Sequence, residues 1–158
     1  MKTRIDWGLE RPWQRTAGET SEGWGDEKLQ INVIFTTPQA TLAALNAAAL
    51  MANDLDARIR LVAPQLIPYA YPLDRPPVKI EFMERNLSDL VCRFPHSDLV
   101  SNVHLYLCRD RIETMLGVLE PNSLIVIGGK KRWWAHQESR LARKLRSAGH
   151  QVVFAERR

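Results

Sequence analysis

Long apolar runs are missing from this sequence, and so are the short motifs that mark catalytic centres. No stretch approaches the roughly 18 consecutive apolar residues needed to cross a bilayer. The opening MKTRIDWGLE also lacks the apolar core of a signal peptide. Both absences predict a cytoplasmic protein. Cysteine is scarce. Cys92 lies in a helix-like apolar segment and Cys108 in a strand-like one, which predicts reduced, buried thiols and argues against a disulfide framework. The histidines His96, His104, His136 and His150 show no metal-ligand spacing, and neither cysteine completes one, so no metal is expected. There is no G-x-S-x-G elbow, no P-loop and no G-x-G-x-x-G fingerprint. Catalysis is therefore not expected.

What is present suits one packed domain. The chain has 158 residues, of which 45% are hydrophobic and 25% charged, enough for a real core. Its net charge of +4 is unevenly spread. Residues 130–158 carry nine basic and two acidic side chains, so the whole excess sits at that end. A field of this sign suits an anionic partner, although a solvated helix face gives the same count.

Residues 1–28 hold four glycines, many charges and Trp7, Trp13 and Trp24, with neither strand nor helix periodicity. They read as an N-terminal extension, partly mobile, whose indoles predict docking on the domain or on a second subunit. Residues 29–158 form the domain proper. LQINVIFTT reads as a buried strand, with Thr37 as N-cap and Pro38 in the first turn of an alanine-rich helix. ARIRLVAPQLIP reads as a second strand ended by Pro64 and Pro68, followed by a proline- and tyrosine-bearing loop. A second helix runs from about Val78 to Phe94, with Ile80, Met83, Leu87, Leu90, Val91 and Phe94 on one face.

Val100–Cys108 is the third strand, and Asp110 with Glu113 opens a third helix striped by Ile112, Met115, Leu116 and Leu119. SLIVIGG is a continuous, central-type fourth strand. HQESRLARKLRSAGH gives a basic helix with Leu141, Leu145 and Ala148 inward and Gly149 as its stop, and QVVFAE is the fifth strand. Five strands alternating with four helices call for right-handed crossovers and an open parallel sheet covered on both faces. Ligands of such sheets lie at the carboxyl ends of the strands, where the strand order reverses.

This order of elements over residues 30–156 resembles the universal stress protein family. The likeness rests on a strand opening into an alanine-rich helix, a variable loop, SLIVIGG as fourth strand and SRLARKLRSAGHQVVF as last helix and strand. It implies a five-stranded parallel sheet of order 3-2-1-4-5, and homodimers joined through the last strand, here Gln151–Ala155. Nucleotide-binding members carry G-x2-G-x9-G-[ST] after the fourth strand. Here only Gly128 and Ser139 correspond, the second glycine falls on Lys131, and Glu138 stands before the serine. The acidic residue expected after the first strand is Thr36 or Thr37. The resemblance therefore implies no ATP bound in the usual manner of the family, and no other cofactor.

The same alternation occurs in response-regulator receivers. Those need acidic residues after the first strand and a phosphate-accepting aspartate after the third, where this chain has Thr36-Thr37 and Cys108-Arg109-Asp110. Asp110 reads as a helix cap. Two readings of GGKKRWW stand. It is an anion site in which Gly128 and Gly129 expose amides and Lys130, Lys131 and Arg132 supply charge, or it is a surface turn. Any small ligand is expected over Thr36, Thr37, Pro38, Gly128, Gly129, Lys130, Lys131 and Ser139. Arg140, Arg143 and Lys144, with Arg132, form a cationic ridge that could contact an anion or nucleic acid. The expectation is a non-catalytic, stress-related binding or regulatory protein. Alternatives are a nucleotide binder using a modified Gly128-Gly129-Lys130 loop and a nucleic-acid-associated protein using the basic last helix.

Overall fold

The computed structural model describes residues 3–5, 29–129 and 137–156. Lys130, Lys131 and Arg132, and the indoles of the N-terminal stretch and of the GGKKRWW loop, lie outside the described residues. The elements follow the chain as β1 (Thr3–Ile5), β2 (Gln30–Ile34), α1 (Pro38–Leu55), β3 (Arg58–Leu66), α2 (Ile80–Arg93), β4 (Val100–Cys108), α3 (Arg111–Val118), β5 (Leu124–Gly129), α4 (Gln137–Ser147) and β6 (Gln151–Glu156). One sheet holds all six strands in the order β1-β4-β3-β2-β5-β6. From β4 to β6 every neighbouring pair is parallel, so the five expected strands have the expected order 3-2-1-4-5.

The sixth strand was not foreseen. Thr3–Ile5 pairs antiparallel with Leu105–Leu107 on the outer side of β4, so part of the N-terminal stretch belongs to the sheet. A segment of three residues is too short to show a period of two.

Why each element forms is visible locally. Thr37 has extended backbone angles and its Oγ1 accepts from the Ala40 N–H at 3.3 Å, while Pro38 occupies the first turn of α1. Asp110 caps α3 in the same way, its Oδ1 accepting from the Glu113 N–H at 3.0 Å. Ala40, Ala44, Ala48, Ala49 and Ala52 are all buried, and their small side chains let α1 lie close to the strands. One core cluster joins α1 and α2 to a face of the sheet through Leu45, Leu87, Leu90 and Phe94. Another joins α3 and α4 to the opposite face through Met115, Leu141 and Leu145.

Four sequence expectations need correction. Pro64 does not end the second strand but lies buried inside β3, opposite Tyr106 of β4. Its residue parity turns its nitrogen toward β2, whose pairing with β3 has already stopped at Val62, so no ladder bond is lost. Cys92 is exposed rather than buried, because adjacent Val91 takes the inward position on α2. Ala148 is exposed at the helix end, and Ala142 is buried instead. Leu116, placed in the inward stripe of α3, is 40% exposed because this short helix buries Met115 and Thr114.

Candidate functional site

β2 and β5 lie side by side, yet the chain leaves β2 for the face carrying α1 and leaves β5 for the face carrying α4. A crevice opens where neighbouring parallel strands send their helices to opposite faces. The structure brings Thr36, Thr37, Pro38, Gly128 and Gly129 to this place. Thr36 Oγ1 donates to the Gly128 carbonyl at 3.2 Å, bridging the two strand ends. The Thr36 N–H donates to Thr41 Oγ1 at 3.1 Å, and Thr41 is fully buried. Together with the Thr37 cap, these bonds engage both crevice hydroxyls within the protein.

Gly128 is required by packing. A β-carbon there would stand 1.9 Å from the Ala40 carbonyl oxygen and 2.6 Å from its carbon, so only a bare α-carbon lets the first turn of α1 meet β5. This close approach is not foreseeable from a strand-glycine-glycine pattern, which serves ligand and helix equally well.

Ser139 lines a second concavity, a groove of about 530 Å³ shared with Ala142, Arg143, Arg146, Ser147 and Phe154. Arg140, Arg143 and Lys144 are exposed on α4, as the cationic ridge requires. Arg146, not among the candidate contacts, has structural partners: its Nη2 donates to the Val152 carbonyl at 2.9 Å and its guanidinium carbon lies 5.5 Å from the Phe154 ring centre.

Arg109 is a further residue the sequence did not single out. From the end of β4 it donates through Nη1 to the carbonyls of Ile67 and Pro68 and through Nη2 to that of Tyr71, at 2.7 Å. Its guanidinium also lies 5.0 Å from the Tyr69 ring centre. The loop after β3 is thereby tied to the neighbouring strand, with Tyr69 84% exposed. The available signal was a lone basic residue directly after a strand whose neighbour ends in a proline-rich loop. Beside it, burial pushes the Cys108 thiol above its ordinary pKa of 9.0, and its Sγ lies 3.6 Å from the Gln65 carbonyl oxygen. Among the described residues no group of three or more His, Cys, Asp or Glu could hold a metal, and no helix is long and apolar enough to cross a membrane.

A universal stress protein family member from Burkholderia pseudomallei superposes with a TM-score of 0.51 at 22% identity, covering 82% of this chain and 97% of that chain. The fold is that of a universal stress protein. No family model matches the chain, and no curated protein matches it either. The universal-stress-protein fold supplies the frame: the parallel order β4-β3-β2-β5-β6 and the crevice between β2 and β5.

Proposed function

We propose that this protein is a non-catalytic binding or regulatory module of universal-stress-protein type, acting in a stress response as a homodimer joined through β6. In this reading it does not hold ATP in the way usual for that family. The observation that carries the reading is the approach of Ala40 to Gly128, which explains the glycine without a nucleotide. The Thr36 and Thr37 hydroxyls at the same crevice are already engaged, one by the Gly128 carbonyl and one by the Ala40 N–H. A dimer through β6 is favoured because β1 pairs on the outer side of β4, leaving β6 at the other end of the sheet.

Native mass spectrometry of the purified full chain tests this. The expected result is a dimer without nucleotide, and Val153→Lys on the exposed face of β6 should shift it to monomer. A stoichiometric adenine nucleotide carried through purification would overturn the reading in favour of the modified Gly128-Gly129-Lys130 loop. A monomer at every concentration would remove the dimer.

A further inference from the structure

The outer edge of β6 is not simply open. In the parallel pair of β5 and β6 the Gln151 N–H donates to the Ser123 carbonyl at 3.0 Å. This sets the direction of the strand: Gln151, Val153 and Ala155 turn their backbone groups toward β5, and Val152 and Phe154 turn theirs outward. The outward Val152 carbonyl is the acceptor that Arg146 Nη2 reaches at 2.9 Å. Its guanidinium also lies beside the Phe154 ring, so it stands on the edge where another strand would have to pair.

We propose that Arg146 gates the pairing of β6 with a second copy of this chain, and that a phosphate-class anion, taken into the groove beside Arg143, opens the gate. The proposal rests on the homodimer reading above and names what regulates it. A second copy is the occupant because Val152-Val153-Phe154-Ala155 carries no charge and Val153 is 37% exposed. Paired antiparallel about a two-fold axis, such a strand is its own complement.

The closed gate opposes that pairing in two ways. Arg146 occupies a carbonyl that a partner N–H needs, and two-fold symmetry brings the arginines of both copies toward one another. An anion removes both obstacles. Among the described residues the groove is lined by Arg143 and Arg146 with Ser139 and Ser147 and by no carboxylate, so it offers two cations to an anion. Phosphate oxygens accept charge-assisted bonds from guanidinium that are stronger than the bond to a neutral carbonyl. Arg146 therefore turns from Val152 to the anion, and its charge is neutralised at the same time.

Sedimentation velocity on the full chain, with inorganic pyrophosphate added at constant ionic strength, tests the gate. Pyrophosphate is expected to strengthen dimerisation about tenfold in the native protein. Arg146→Ala should dimerise more tightly without anion and respond to it no further, and Arg143→Gln should lose the response while keeping its melting temperature. Dimers that Val153→Lys disrupts but that ignore both pyrophosphate and Arg146→Ala would overturn the gate and leave the homodimer standing. Monomers in native protein and in Arg146→Ala alike, at every concentration, would overturn both.

Discussion

At Gly128 an added methyl group would have to push the first turn of α1 away from β5, because its nearest neighbour is backbone and not a movable side chain. Gly128→Ala should therefore cost about 1–3 kcal/mol of stability, the usual range for overpacking, measured by urea denaturation. A ligand-only role for this glycine predicts no such loss. The two cysteines separate in the same residue-by-residue way. Cys92 should react at once with a thiol reagent in the folded protein, and Cys108 only on unfolding. Burial raises the Cys108 pKa, so the folded thiol keeps its proton where the unfolded one has lost it. The stability this contributes is fully present below the ordinary value of 9.0 and is lost as pH rises through the higher folded value. Cys108→Ala should accordingly flatten the alkaline fall in the urea midpoint relative to the native protein. Sequence placed Cys108 correctly and Cys92 wrongly, since the inward stripe of α2 runs through Met83, Leu87, Leu90 and Val91 and Cys92 falls beyond its edge.

Between elements, Arg109 supplies three side-chain hydrogen bonds to the loop following β3. Removing it as Arg109→Ala leaves the carbonyls of Ile67, Pro68 and Tyr71 without that donor and frees Tyr69 from the guanidinium. The expected loss is about 1–3 kcal/mol, together with faster proteolytic cleavage near the exposed tyrosines. An unchanged cleavage rate would show that the loop is held by something else. Elements with strong local signals were legible: the capped starts of α1 and α3, the apolar stripe of α2 and the continuous strand β5 all stand where periodicity and capping put them. What escaped was set by neighbours. Pro64 is tolerated inside β3 because β2 stops short of it, and Arg109 matters because β3 and β4 end together. Neither fact exists in a single segment. Strand order was legible for a different reason, since alternating elements with right-handed crossovers leave few topologies and the family resemblance chose among them.

Over the whole molecule, the sheet has two ends and they are treated differently. At one end β1 lies antiparallel on the outer side of β4, and at the other β6 exposes Val153. β1 is itself a terminal strand, but with three residues it offers too short an edge to recruit another strand, so β6 is the one long edge, which a two-fold partner satisfies and the assembly then closes. Two long edges allow each copy to pair at both ends, and nothing then limits growth. The short strand Thr3–Ile5 thus bears on the form of assembly as well as on stability. Deleting residues 1–5 should expose Leu105–Leu107 along the outer side of β4 and convert a discrete dimer into larger, concentration-dependent species, read by light scattering. Adding Val153→Lys to that deletion leaves only the β4 edge attractive and should return the protein to small, closed species. If the deletion left a simple dimer whatever the concentration, β1 would be a passenger on the sheet, and the control of assembly would lie wholly at β6.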